Sequence, residues 1–247
     1  MITIKKPHEI MLMRQAGNIL QQTHKMLASL IVPGITTHKI NLLVQEFYQK
    51  NGVTSAFKDY HGFPQYICTS VNEVVVHGIP SPNIFLKSED IVTVDLGISY
   101  QGYYVDCAYT YAVGSIVSQV QQLITLTQAA LLQSLVQIKP NNHFSDISHA
   151  IQTFAKQHHL GIVKDFTGHG IGKSLHEEPY IPNFGEPHQG PILQEGMTFC
   201  VEPMLTLGSP EVQVLADNWT VVTIDKSLSA HFEHTVLVTA IGYEILA

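Results

Sequence analysis

The chain has 247 residues, 45% of them hydrophobic, with 17 Gly and 12 Pro, which excludes collagen-like and disordered chains. Charged residues make up only 13%, against about 25% in typical soluble domains. Even so, no run of about 18 apolar residues marks a membrane span, and the first eight residues lack the apolar stretch of a secretory signal.

Thirteen Lys and Arg stand against 20 Asp and Glu, a formal net charge of −7. With no basic cluster beyond Lys5-Lys6, a specific nucleic-acid partner is not expected. The three cysteines, Cys68, Cys107 and Cys200, are scattered without a C-x-x-C pair and fit a reducing, cytoplasmic setting.

Ile10, Met13, Gly17, Leu20, His24 and Leu27 recur at helical spacing and predict a first helix over about 8–30, broken at Pro33-Gly34. Thr36-Thr37 offers N-cap chemistry for a second helix with Ile40, Leu43, Val44 and Phe47 on one face. Strands are expected over about 66–70, 91–100 and 103–113, the last two joined at Gln101-Gly102. A third helix over about 117–138 stops before Pro140, and a fourth covers about 145–159.

That order repeats. Pro33, Ile40 and Phe47 align with Pro140, Ile147 and Phe154 at one offset, and Lys58–Gly62 then faces Lys164–Gly168. A period near half the chain length is too long for a solenoid. It implies a duplicated α/β unit in one domain over 1–247, the halves being roughly 8–115 and 116–247 and sharing one core. A site between related halves would draw ligands from both.

Acidic residues inside strand-like runs are the next anomaly: Asp95, Asp106, Glu202 and Glu233 all have β-branched or aromatic neighbours. A carboxylate buried there unpaired is costly, so four of them suggest a shared cation. With a two-residue turn at Gln101-Gly102, residue 97 opposes 106. Asp95 then becomes the same-face diagonal neighbour of Asp106, at roughly 7–8 Å between backbones. Such a pair can converge on two metals about 3.5–4 Å apart.

Fourteen histidines exceed the Lys and Arg together. His77 lies before a Gly-Ile-Pro turn, and His169 and His176 flank a glycine-rich segment that permits close backbone approach. The spacing is neither a phosphate-binding loop nor H-E-x-x-H.

Taken together, His77–Pro80, Asp95, Asp106, Gly168–Gly172, His176–Pro179, Glu202–Met204 and Glu233–Thr235 resemble type I methionine aminopeptidases, over essentially the whole chain from Ile4–Arg14 onward. The resemblance implies an α/β (α+β), pseudo-two-fold "pita-bread" fold, with a mainly antiparallel sheet covered by helices. It implies a hydrolase that removes N-terminal methionine, preferably before a small second residue, using water activated by two metal ions.

By the same resemblance Asp95, Asp106, His169, Glu202 and Glu233 are the metal ligands, with Asp106 and Glu233 bridging. Glu202 moves the proton, and His77 and His176 contact the substrate amide. Carboxylates with one imidazole suit Co, Mn, Fe or Zn. Phe57, Tyr60, Phe63, Cys68, His77, Leu175, Trp219 and His231 would line the pocket. Phe57, Leu175 and His231 stand where the family commonly has Cys, Phe and Gln, while Val105 and Cys107 flank Asp106 where Gly and Ser or Thr are usual. A monovalent cation, Na or K, would map near Asn72, Val74 and Ser229. The implied partners are nascent or short peptides with N-terminal Met and, weakly, the ribosome. A cytoplasmic monomer without membrane contact is expected.

Three alternatives stay open on sequence. X-Pro peptidases use the same five ligands but usually carry an extra N-terminal domain. A non-catalytic binding protein of the same fold is a second. Cys107 or Cys200 as a nucleophile is a third, although neither has a basic neighbour.

Overall fold

Helices form where apolar spacing and end chemistry coincide. In the computed structural model, which describes residues 2–247, α1 (Pro7–Leu27) starts with proline in its first turn. Glu9 accepts a hydrogen bond from the Lys6 amide at 2.7 Å, and Met13, Ala16, Leu20 and Leu27 are buried. α2 (Thr37–Lys50) is capped by Thr36, whose Oγ1 accepts from the Lys39 amide.

The buried face of α2 is turned slightly from the one expected. Ile40, Val44 and Tyr48 are buried, while Leu43 and Phe47 sit at the flank. Asn41 is drawn inward because it donates to Gln65 and accepts from the Tyr66 amide. α3 (Ser118–Leu135) and α4 (Phe144–Gln157) repeat the pair. α3 stops three residues before the expected end, and the Gln137 and Ile138 amides close a turn onto Ser134 and Leu135 before Pro140.

Fifteen strands accompany these helices among the described residues. They are β1 (Thr54–Ser55), β2 (Cys68–Val71), β3 (Val74–Val76), β4 (Ile91–Tyr100), β5 (Tyr103–Ala112), β6 (Gly161–Ile162), β7 (Thr167–Gly170) and β8 (Glu177–Pro182). After these come β9 (Thr198–Val201), β10 (Met204–Thr206), β11 (Val212–Val214), β12 (Val221–Thr223), β13 (Ser229–His231), β14 (Glu233–Val238) and β15 (Tyr243–Ile245).

The main sheet is antiparallel with order β1-β4-β5-β14-β9-β7-β8; β2 also pairs with β4, and β15 with β14. Two small sheets, β13-β10-β6 and β11-β12-β3, flank it. β14 is the seam, pairing with β5 on one side and β9 on the other.

Strand parity decides what faces what. Leu96 pairs with Cys107, Cys107 with His234, His234 with Val201, and Val236 with Phe199, so these residues share one face. The helices cover that face. Asp95, Asp106, Glu233 and Cys200 have the opposite parity, as do His169 in β7 and Glu202 just beyond β9. The buried apolar side chains form two large clusters, one under α1 and α2 and one under α3 and α4, each drawing residues from both halves of the chain, such as Cys200 and Leu237 in the first and Ile91 in the second. The helix pairs sit over different halves of the sheet, so continuity runs through the strands.

Candidate metal centre

The tight turn at Gln101-Gly102 sets the β4–β5 register, with Tyr100 opposite Tyr103 and Gly97 opposite Asp106, as predicted. Asp95 is therefore the same-face diagonal neighbour of Asp106. β14 brings Glu233 opposite Ala108 on that face. One oxygen each from Asp95, Asp106 and Glu233 falls within a mutual 4.8 Å. Glu202, His231 and Glu233 form a second such group, and His169, Cys200 and Glu233 a third.

His169 Nε2 lies 3.6 Å from Glu202 Oε1. Its Nδ1 donates to the Gly170 carbonyl at 3.0 Å, which leaves Nε2 unprotonated and aimed at the carboxylates. Thr235 steadies Asp106 from the seam strand: its Oγ1 accepts from the Asp106 amide at 2.9 Å and donates to the Asp106 carbonyl at 2.8 Å.

Asp106, His169 and Glu233 are buried, and Asp95 and Glu202 half-buried. Among the described residues no Lys or Arg pairs with any of the four carboxylates. Burial pushes the Asp95 carboxyl up to about 7. Burial, and then the charges of Glu233 and Asp95, drive Asp106 well above the carboxylate range. Glu202 rises through burial and the charges of Asp106 and Asp95, and Glu233 through burial and those of Glu202 and Asp95.

One oxygen on each of the four has no hydrogen-bond partner, and neither ring nitrogen of His231 has one. Buried polar atoms left this way are expensive, and convergent hard oxygen donors with imidazole are the set that divalent cations satisfy. The donor set fits such ions.

A cavity of about 300 Å³ opens above the donors. All five expected ligands line it, together with every expected pocket residue: Phe57, Tyr60, Phe63, Cys68, His77, Leu175, His176, Trp219 and His231. Phe63 meets Trp219 edge-on at 5.1 Å, and His77 meets Phe166 at 5.4 Å. Burial lowers His77 to about 4 and His169 and His231 to about 3, so these imidazoles are neutral near pH 7.

His231 lies deeper than a pocket wall, with Nε2 3.9 Å from Glu202 and 4.0 Å from Glu233. His176 stands at the rim, and its Nδ1 is 2.7 Å from the Tyr60 hydroxyl. Val76, Asp165, Phe166, Thr167 and Tyr180 also line the cavity and were not anticipated. The repeat held the signal for Phe166, which occupies the place of Tyr60 in the second half.

Burial raises the thiols of Cys107 and Cys200 well above their ordinary range, which removes the basis for a thiolate nucleophile. Near the expected monovalent site, the Ser229 amide donates to the Asn72 carbonyl at 3.0 Å, with Val74 two residues on.

Hard donors with no internal counter-charge, facing an apolar-walled cavity, define a metal-dependent hydrolase. The sequence profile of metallopeptidase family M24 matches residues 11–240, and the chain belongs to that family, whose members work with divalent metal ions. It is 45% identical to methionine aminopeptidase 1 of Bacillus subtilis over 246 residues, spanning 100% of this chain and 99% of that one.

The crystal structure of methionine aminopeptidase from Thermotoga maritima matches with a TM-score of 0.98 and 43% identity, over 100% of this chain and 99% of that one. The prolidase from Pyrococcus furiosus shares the fold, with a TM-score of 0.79 at 22% identity over 98% of this chain and 64% of its own. The pita-bread architecture expected from the resemblance is the fold of these proteins. Among the described residues no helix is long and apolar enough to cross a membrane.

Proposed function

We propose that this chain removes N-terminal methionine from proteins and short peptides, preferably where the second residue is small, with Asp95, Asp106, His169, Glu202 and Glu233 holding two divalent ions. The observation that carries the reading is the set of orphaned donors on one sheet face beneath a cavity of about 300 Å³ with largely apolar walls. Cobalt or manganese is the expected activator, with Fe and Zn compatible with the same donors. Bound divalent ions supply Lewis-acid polarisation and a more acidic water.

The chain's own groups do the rest. Glu202, with its proton affinity raised by burial and by Asp106, accepts the proton of the attacking water and passes it to the leaving amine. His77, neutral, and His176 point N–H groups at the amide and the oxyanion it becomes. Tyr60 hydrogen-bonds His176 Nδ1 at 2.7 Å, and with the phenol O–H as the donor the ring proton of His176 lies on Nε2. Phe57, Phe63, Cys68, Leu175, Trp219 and His231 present a wall suited to a thioether. The wider proposal is a cytoplasmic monomer that touches the ribosome weakly and binds Na or K near Asn72, Val74 and Ser229.

Metal-loaded protein incubated with Met-Gly-Met-Met and with Ala-Pro dipeptide should release methionine from the first and leave the second intact. Cleavage of the dipeptide alone would favour the X-Pro reading, and cleavage of neither, with metal bound, a binding protein. Asp106→Ala should abolish metal-dependent activity.

A further inference from the structure

Glu177 follows His176 directly, and its carboxylate ties two distant parts of the chain together. Oε1 accepts from the amides of Lys173, at 2.7 Å, and Ser174, at 3.1 Å, closing the tip of the 171–176 loop. Oε2 accepts from Thr3 Oγ1 and from Lys5 Nζ, both at 2.9 Å. The Lys5 side chain is 4% exposed and that of Glu177 16%, so this ion pair is nearly buried.

Lys5 is itself fixed: its Nζ also donates to Thr3 Oγ1, and its backbone amide donates to the Gly196 carbonyl at 2.8 Å. Gly172 makes room for the arrangement. A methyl group there would lie 2.6 Å from Lys5 Nζ and 3.1 Å from Glu177 Oε1. The Gly172 carbonyl accepts from the Tyr104 amide at 2.7 Å, binding the loop to the strand that carries Asp106. The loop held from these sides delivers two residues into the cavity lining, Leu175 and His176.

We infer that the Lys5–Glu177 pair is a clasp by which the N-terminal segment sets the position of His176 for its contact with the substrate amide. Glu177 and Lys5 are positioning residues, since neither lines the cavity. The inference rests on the role given to His176 in the proposed function. A buried ion pair adds little net stability, but removing one partner leaves the other charge uncompensated. Strain from a broken clasp therefore falls on the segment the carboxylate closes, at its junction with His176.

Glu177→Gln is the informative change. Its amide oxygen still accepts from Lys173 and Ser174, whereas its NH₂ group meets Lys5 Nζ donor to donor. In the metal-loaded full chain, with Met-Gly-Met-Met as substrate, kcat should fall about 10- to 100-fold, since displacement by about 1 Å is worth up to about 100-fold. KM should change far less, and metal affinity by titration calorimetry should be unaltered. Lys5→Met should give a similar loss, and the double variant no further one.

In a His176→Ala background, Glu177→Gln should cost nothing more. Arg14→Met, which breaks an exposed ion pair to Glu244 away from the cavity, should keep the parental kcat. A Glu177→Gln variant with parental kcat, or a loss that adds fully to that of His176→Ala, would overturn the clasp. A parental kcat in His176→Ala alone would instead overturn the role of His176.

Discussion

Gly97 lies opposite Asp106 on the cavity face, directly behind the Phe57 ring. A β-carbon at residue 97 would sit 2.6 Å from Phe57 Cε1, 2.9 Å from Cζ and 3.0 Å from Ala56 Cβ. Carbon atoms settle at about 3.5 Å or more, so in Gly97→Ala the ring must retreat by about 0.9 Å. Phe57 is buried and lines the cavity, so the empty space is on the substrate side.

Overpacking of this kind costs about 1–3 kcal/mol, and a penalty near 1.4 kcal/mol taken from substrate binding is about tenfold. We expect KM for a Met-initiated peptide to rise about tenfold in Gly97→Ala, with kcat and metal affinity nearly parental. Phe57→Leu in the same chain should restore KM by removing the obstructing ring edge. Steady-state kinetics on the two single variants and the double variant measure this. An unchanged KM, or no recovery in the double variant, would refute the argument that Gly97 exists to seat Phe57.

Chelation should make the protein's stability strongly pH-dependent. Asp95 is raised from 3.8 to about 7 by burial, and its neighbours are raised too. An acid with a raised folded pKa contributes stability below its unfolded value and loses it as pH rises through the folded one. Bound metal relieves the like charges, so the Tm gap between loaded and chelated protein should widen from about pH 5 to about pH 8; a constant or narrowing gap would contradict this. Cys107→Ser should retain most metal-dependent hydrolysis, and complete loss with metal still bound would revive a thiol mechanism.

The Asp95–Asp106 relation could be read from sequence because a two-residue turn and a period of two admit one register. The two sets of helices were legible from their apolar spacing, with Pro33 and Pro140 as stops. His231 lines the cavity as expected of a pocket residue, and β13 also brings its Nε2 close to both Glu202 and Glu233, which the sequence did not indicate. Tyr180 and Thr235 escaped for a related reason. Tyr180 meets the cavity through the irregular β7–β8 pairing beside His169, and Thr235 supports Asp106 across 129 positions of sequence. Nothing local encodes either contact. Asn41 defeated the apolar template on α2 because a polar side chain was recruited inward by hydrogen bonds.

The place of β14 in the sheet also bears on synthesis. β5 and β9 each pair with β14, yet residues 233–238 leave the ribosome after almost every other strand. Until then both halves present an open strand edge, and these long-range pairings are slow to form. Glu233 arrives with that strand, so the full donor set exists only once the halves have joined. On the proposed ligand set, a partial chain that lacks β14 would offer metal only the two aspartates of the β4–β5 hairpin, or His169 and Glu202 of the second half.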